Sequence, residues 1–380
     1  MPIDDREWDT RARGGATALL ARAADADLRA TDRLQGAIDD AFLSDAARLD
    51  DRTRLGIAAV LTDLVDAAIA SVRVHAVRLL IARDGGALAE RMTTESAGVL
   101  ARLRTTGLLR EPALMREVVG QVRQDGMAAM LPAVTPDDPD AASLLPRLLH
   151  HADPVVGTAV AGLLAAESDR RIGRPAGAPP VSNLPAKLHQ QLVWWCTAAL
   201  REPVAASAGA ALPTLDRALA EAAARSIAAH DDTGRLEEAA LRLARALDPT
   251  PPERAALLVE ALLDRRLALF IAVIAEGLGI EYADARDAVL DPNAERLWLI
   301  LRALDVGRGA IARIGLSLSE ADPRRDVEGF VEMLDDMLAI PPLAAREALT
   351  PLLLHPAYRA AVTALAQGRR RATVIGDWQG

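Results

Sequence analysis

Cysteine is nearly absent from this 380-residue chain. Cys196 stands alone, which excludes an intramolecular disulfide and a thiolate cluster around a metal, and fits a reducing, cytoplasmic setting. Aromatic residues make up only 3% of the sequence, so the 51% hydrophobic content is mostly Ala, Leu and Val. Strands favour β-branched and aromatic side chains whereas Ala, Leu, Arg and Glu favour helix, and the shortage of aromatics therefore points to helices. Lysine is also scarce, with Lys187 the single example. The formal net charge of -9 and the lack of a basic field disfavour a polyanionic partner, which makes nucleic-acid binding a distant third reading of function. The longest apolar runs, residues 192–200 and 267–275, fall short of the roughly 20 residues a membrane-crossing helix needs, so no membrane insertion is expected. Residues 1–14 are acidic and polar, unlike the basic start and apolar stretch of a secretory signal.

What the chain does contain is helix punctuation. Asp-Pro recurs at Asp138-Pro139, Asp153-Pro154, Asp248-Pro249, Asp291-Pro292 and Asp322-Pro323. An Asp side chain accepts from a free amide at a helix start, and a following Pro has no amide to leave unsatisfied, so these predict helix openings. Thr250-Pro251-Pro252-Glu253 has the form of a capping box and predicts a helix over residues 251–264. Leu263, Leu267, Phe270, Ile271, Ile274 and Leu278 recur mostly at three- and four-residue intervals, the spacing of one helix face.

An internal repeat is superimposed on these helices. Val72, Ala76, Val77 and Leu80 match Val155, Ala159, Val160 and Leu163 in offset. Similar openings begin at Glu111, where Glu117 stands in place of the Ala, and at Glu202. The starts at Ala70, Glu111, Asp153 and Glu202 are about 41, 42 and 49 residues apart, and the first two intervals agree with HEAT and armadillo units of roughly 40–47 residues. The Pro- and Gly-rich residues 168–185 read as an irregular insertion that lengthens the third. The expected fold is all-α, an α-solenoid of HEAT-like helix pairs with a C-terminal helical region. Its parts are an N-terminal helical segment (1–48), the repeats (49–247), the C-terminal helices (248–367) and a flexible tail (368–380).

Val72-Arg73 followed by Ala76 and Leu79-Leu80 resembles the second helix of a HEAT repeat. The stretches Val99-Leu100-Ala101-Arg102-Leu103, Gly107-Leu108-Leu109, Pro112-Ala113-Leu114, Leu267-Ala268-Leu269-Phe270, Ala288-Val289-Leu290-Asp291-Pro292 and Leu301-Arg302-Ala303-Leu304-Asp305-Val306 resemble the bacterial domain-of-unknown-function family numbered 2336. The resemblance spans about residues 49–316 and rests on apolar patterning. It implies helical repeats and carries no catalytic residues over.

No catalytic, cofactor or metal constellation emerges. Gly277-Leu278-Gly279 lacks the third Gly of a dinucleotide turn, Tyr282 standing there, and reads as a helix end. His150 and His151 are adjacent, so on a helix they point about 100° apart, unsuited to one ion. Cys196, with His189 seven residues upstream, reads as a core thiol rather than a nucleophile. The acidic pairs Asp39-Asp40, Asp50-Asp51, Asp137-Asp138, Asp231-Asp232 and Asp335-Asp336 read as caps and solvated surface. Trp194 and Trp195 are core residues or a binding spot, Trp being enriched where interfaces concentrate their energy. Arg369, Arg370, Arg371 and Trp378 form either a docking tail or a frayed end. The expectation is a noncatalytic scaffold or adaptor for another protein, with an enzyme site assembled from several helices as the alternative.

Overall fold

The computed structural model describes residues 49–94, 98–132, 143–172 and 182–355, together with 357–359, 361–362 and 365. The chain divides into two compact units between Asp51 and Arg52, and the helices below, apart from Asp51 itself, belong to the second. Every regular element among the described residues is helical. In order these are α1 (Asp51–Ile81), α2 (Gly86–Thr94), α3 (Val99–Thr105), α4 (Pro112–Met130), α5 (Leu144–Leu149), α6 (Pro154–Ile172), α7 (Ala186–Ala208) and α8 (Leu212–Ala228). They continue as α9 (Leu236–Leu247), α10 (Pro251–Leu263), α11 (Leu267–Leu278), α12 (Tyr282–Leu290), α13 (Glu295–Ala303), α14 (Arg308–Ala321), α15 (Val327–Ala339), α16 (Pro342–Ala348) and α17 (Thr350–Leu353).

The core is centred on α11, whose first nine residues, 267–275, are all buried. A helix apolar on every side must be surrounded. α11 accordingly packs against α4, α9, α10, α12 and α13. α7 packs on α8, its neighbour in sequence, and α6 on α9, from which two helices separate it along the chain. α4, however, also packs on α12 and α14, far along the chain, where a simple repeat array provides contacts between neighbours only.

Several helix ends form as the sequence predicts. The Thr250–Glu253 capping box is present, with the Glu253 carboxylate accepting from Thr250 N–H at 2.9 Å and from its hydroxyl at 2.6 Å. α10 ends at Leu263, one residue short of the expected span. Asp153 opens α6 by accepting from Val155 N–H at 2.8 Å. Gly279 closes α11 in the left-handed region at φ 75°, the conformation a glycine adopts without strain.

Other signals were misleading. Asp248 is the left-handed C-cap of α9, and Asp322 is the C-cap of α14. Asp291 and Asp322 accept from the amides of Asn293 and Arg324, two residues on, so they form local turns rather than helix openings. Asp138-Pro139 lies outside the described residues. Of the repeat starts, Glu111 and Asp153 coincide with helix starts, but Ala70 lies inside α1 and Glu202-Pro203 inside α7. The insertion begins later than expected, because 168–172 complete α6.

α1 is apolar over a longer span than any uninterrupted run in the sequence. Its 31 residues include an 18-residue window of mean hydropathy 1.8, enough by length and composition to cross a membrane, and 44% of that window is buried in the protein. Val65, Val72, Ala76 and Leu80 are fully buried. The Ser71 and Ser226 hydroxyls meet at 2.8 Å, joining α1 to α8, and a Cβ at Gly56 would lie 2.7 Å from Val122 of α4. α1 is thus held by protein on two sides.

Candidate functional site

The α6–α9 pair runs antiparallel, and its two ends differ in chemistry. At one end Arg170 of α6 meets Glu237 of α9 at 2.8 Å. At the other, Pro154 to Gly162 of α6 face Arg242, Arg245 and Ala246 of α9.

The first end is a buried charge network. Glu117 on α4 accepts from Arg235 at 2.8 Å through Oε1 and from Arg286 on α12 at 2.9 Å through Oε2. Arg235 also lies 3.5 Å from Glu237 and donates its Nε to the Asn183 carbonyl at 3.0 Å. Arg170 bridges Glu237 and Asp125, the latter at 2.9 Å. The Arg286 side chain is only 1% exposed, and its Nε and Nη1 have no hydrogen-bond partner among the described residues. It lies flat on α4 because residue 120 is glycine, where a Cβ would come within 2.5 Å of the guanidinium. Burial alone pushes the Glu237 carboxyl up, but Arg170 and Arg235 together pull it down to about 2. Burial and the Glu237 carboxylate raise the Tyr282 hydroxyl, which donates to Gln124 at 3.1 Å.

Beside this network opens a cleft of about 570 Å³, lined in part by Asp125, Glu167, Arg170, Asp264, Arg265 and Arg266. These charges neutralise one another or bind backbone. Arg266 pairs with Glu167, Asp264 accepts from Leu144 N–H, and Arg265 donates to the Ala129 carbonyl. No histidine lines the cleft.

The second end is a more open groove of about 750 Å³. Val155, 62% exposed, Pro154 and Ala159 form its apolar α6 wall, with Ala246 opposite. Arg242 and Arg245, one turn apart and exposed on α9, form the rim, and no carboxylate among the described residues lines it. Arg242 is steadied by the Thr233 carbonyl at 2.6 Å and Arg245 by Glu276 at 2.8 Å.

The residues singled out from sequence do not converge on either end. Trp194 is 41% exposed on α7 and Trp195 is half-buried beside it, and neither lines the groove or the cleft. Cys196 is buried, and burial, with the Asp66 carboxylate adding, pushes its thiol up to about 12, so it is protonated at neutral pH. His189 stacks on His230 with ring centroids 3.9 Å apart. His150 and His151 sit at the end of α5, where His151 Nδ1 accepts from Asp153 N–H at 3.1 Å. Asp231 and Asp232 accept from the amides of Thr233 and Ala186, and Asp335 pairs with Arg308. Among the described residues no three His, Cys, Asp or Glu side chains gather as a metal site. Arg369, Arg370, Arg371 and Trp378, with Asp39-Asp40 and Asp137-Asp138, lie outside the described residues.

Residues 166–340 match the sequence model of a family described as an uncharacterised protein conserved in bacteria, DUF2336. The match runs from the last turns of α6 into the end of α15, and so includes Arg170, Glu237, Arg242, Arg245 and Arg286. Of the stretches that carry the resemblance, those from Leu267 onward fall inside the DUF2336 match, and those around Val99 and Pro112 fall outside it. None of the curated proteins and none of the solved structures matches the chain.

Proposed function

We propose that the protein is a noncatalytic interaction module, with HEAT-like helix pairs as its frame, that seats a segment of another polypeptide in the α6–α9 groove. The observation that carries this reading is the groove itself, an apolar floor with an exposed valine and two guanidinium groups on the rim. Apolar area excluded from water supplies affinity, and rim charges steer and register the partner. The proposal includes a cytoplasmic location and no membrane insertion. It is supported by the single buried cysteine and by the packing of α1 against α4 and α8.

A photo-crosslinking amino acid at position 155, introduced in the native cell, is expected to give one discrete protein adduct that disappears in Arg242→Glu/Arg245→Glu. Absence of any adduct at 155 across growth conditions overturns the reading. An enzyme with a site assembled from several helices is the second reading, favoured by the convergence of Asp125, Glu167, Arg170 and Arg266 on the charged cleft. It ranks second because those four side chains are engaged in ion pairs with one another or with Glu237.

A further inference from the structure

The outer face of α15 has the chemistry opposite to the groove. Val327 and Val331, 43% and 63% exposed, lie one turn apart on it. Glu328, Glu332, Asp335 and Asp336 are exposed around them, and α15 contains no basic residue. Glu328, Glu332 and Asp336 make no ion pair among the described residues, while Asp335 pairs with Arg308. The helix is firmly placed beneath. Phe330 packs on Trp298 with centroids 4.6 Å apart and covers Gly315 of α14, where any Cβ would overlap its ring. Asp326 caps its start by accepting from Gly329 N–H at 2.9 Å. An apolar, acidic helix face with no partner among the described residues, Asp335 apart, therefore stands on the same molecule that carries an apolar groove with an arginine rim.

We infer that the groove of one copy takes the α15 face of a second copy, Val327 and Val331 against Val155 and Ala246, with Glu328 and Glu332 opposite Arg242 and Arg245. The lengths agree. Val327 and Val331 lie four residues apart on their helix, as do Val155 and Ala159 on the groove wall, about 6 Å at a helical rise of about 1.5 Å per residue. Because groove and α15 are different surfaces, the contact is head-to-tail, leaving one of each free at the ends, so association proceeds to rings or open chains rather than stopping at a two-fold dimer. The inference rests on the proposed interaction reading of the groove and specifies its occupant.

The test uses the full chain in analytical ultracentrifugation over a concentration series. The wild type is expected to gain mass with concentration, and to lose that gain as salt rises from about 0.05 to 0.5 M, where charge pairs are screened. Arg242→Glu/Arg245→Glu and Glu328→Arg/Glu332→Arg are each expected to remain monomeric, and to associate when mixed, since each then offers the other a complementary surface. These substitutions lie on exposed positions, and circular dichroism of each variant verifies the fold. A wild type that is monomeric throughout, or association indifferent to both variants, overturns the inference. So does failure of the mixed variants to associate. A crosslink at 155 to a different protein alongside a monomeric wild type would sink self-association and leave the interaction reading standing; loss of both sinks both.

Discussion

Among the described residues Glu117 is the one carboxylate hydrogen-bonded to Arg286, and removing its charge offers a direct measure of the network. Arg286 is 1% exposed, with Nη2 its single hydrogen-bonded nitrogen among the described residues, so Glu117→Gln leaves a buried guanidinium with no bonded carboxylate and only Glu237 acting on it through space. Arg235 suffers less, because it keeps Glu237 at 3.5 Å and the Asn183 carbonyl at 3.0 Å. Breaking one partner out of a buried pair costs about 3–5 kcal/mol, against about 0–1 kcal/mol for an exposed pair. The substitution preserves volume, so little of the loss is packing. Urea unfolding followed by tryptophan fluorescence is expected to show Glu117→Gln destabilised by about 3–5 kcal/mol, roughly two to three and a half decades in the folding equilibrium. Adding Arg286→Met removes the stranded charge and is expected to recover most of that. The double variant Glu117→Leu/Arg286→Met, which leaves Arg235 with Glu237 and the Asn183 carbonyl, should lie closer to the wild type than Glu117→Gln does, since replacing both ions of a buried pair avoids the cost of leaving one uncompensated. A cost below about 1 kcal/mol for Glu117→Gln would refute the claim that these charges are desolvated and mutually dependent.

Gly120→Ala tests the same contact from the other side. Alanine favours a helix interior over glycine by about 1 kcal/mol, yet here its Cβ would displace the Arg286 guanidinium, so the variant is expected to be destabilised. In an Arg286→Met background the sign should reverse to a gain in melting temperature. His189 provides the pH dependence. Burial first, and the neighbouring His230 second, lower its imidazole to about 4, so the folded state binds fewer protons than the unfolded one between about pH 4 and 6.5. Stability from this group is therefore complete above about pH 6.5 and declines as the pH falls toward 4, by up to about 1 kcal/mol per pH unit. Thermal melts of His189→Leu across that window should show a shallower slope than the wild type, and an unchanged slope would remove His189 as the cause.

Local chemistry was legible in the sequence where it was strong. The capping box at Thr250, the Asp153-Pro154 opening and the glycine closing α11 each act through a single backbone bond, so composition and order sufficed. The Asp-Pro signals at Asp248, Asp291 and Asp322 failed because Asp serves equally well in a turn or at a left-handed helix end, and the next two residues do not decide which. Pro203 failed for a different reason. It sits on the exposed face inside α7, where the helix continues through it although the sequence rule would break the helix there. α1 shows no long uninterrupted apolar run because Thr62, Asp63, Asp66, Ser71, Arg73 and His75 break it. Neither the groove nor the network was legible at all, since Arg242 and Val155, or Glu117 and Arg286, are 87 and 169 residues apart and only tertiary packing joins them.

One deviation in the repeat did mark the network. At the position where the related openings carry Ala76 and Ala159, the Glu111 opening carries Glu117. A charge in a slot that the pattern reserves for a small apolar side chain is either a surface position misread or a buried ion with partners elsewhere, and Glu117 is the second. That placement explains why α4 leaves its neighbours to pack on α12, since Arg286 projects from α12 onto Gly120 and Glu117. Apolar contacts along helices tolerate sliding by a turn, whereas a carboxylate shared between Arg235 and Arg286 has one register that satisfies both. The network thereby fixes α4 against α12 and against the lead-in to α9, and Arg170 extends the same constraint to α6. With one end of the α6–α9 pair pinned in this way, the opposite end can remain apolar and open as a groove without the two helices closing over it. Weakening the network should therefore loosen the groove before it unfolds the protein, and in Glu117→Gln the position-155 adduct should diminish at temperatures where circular dichroism still reports native helix.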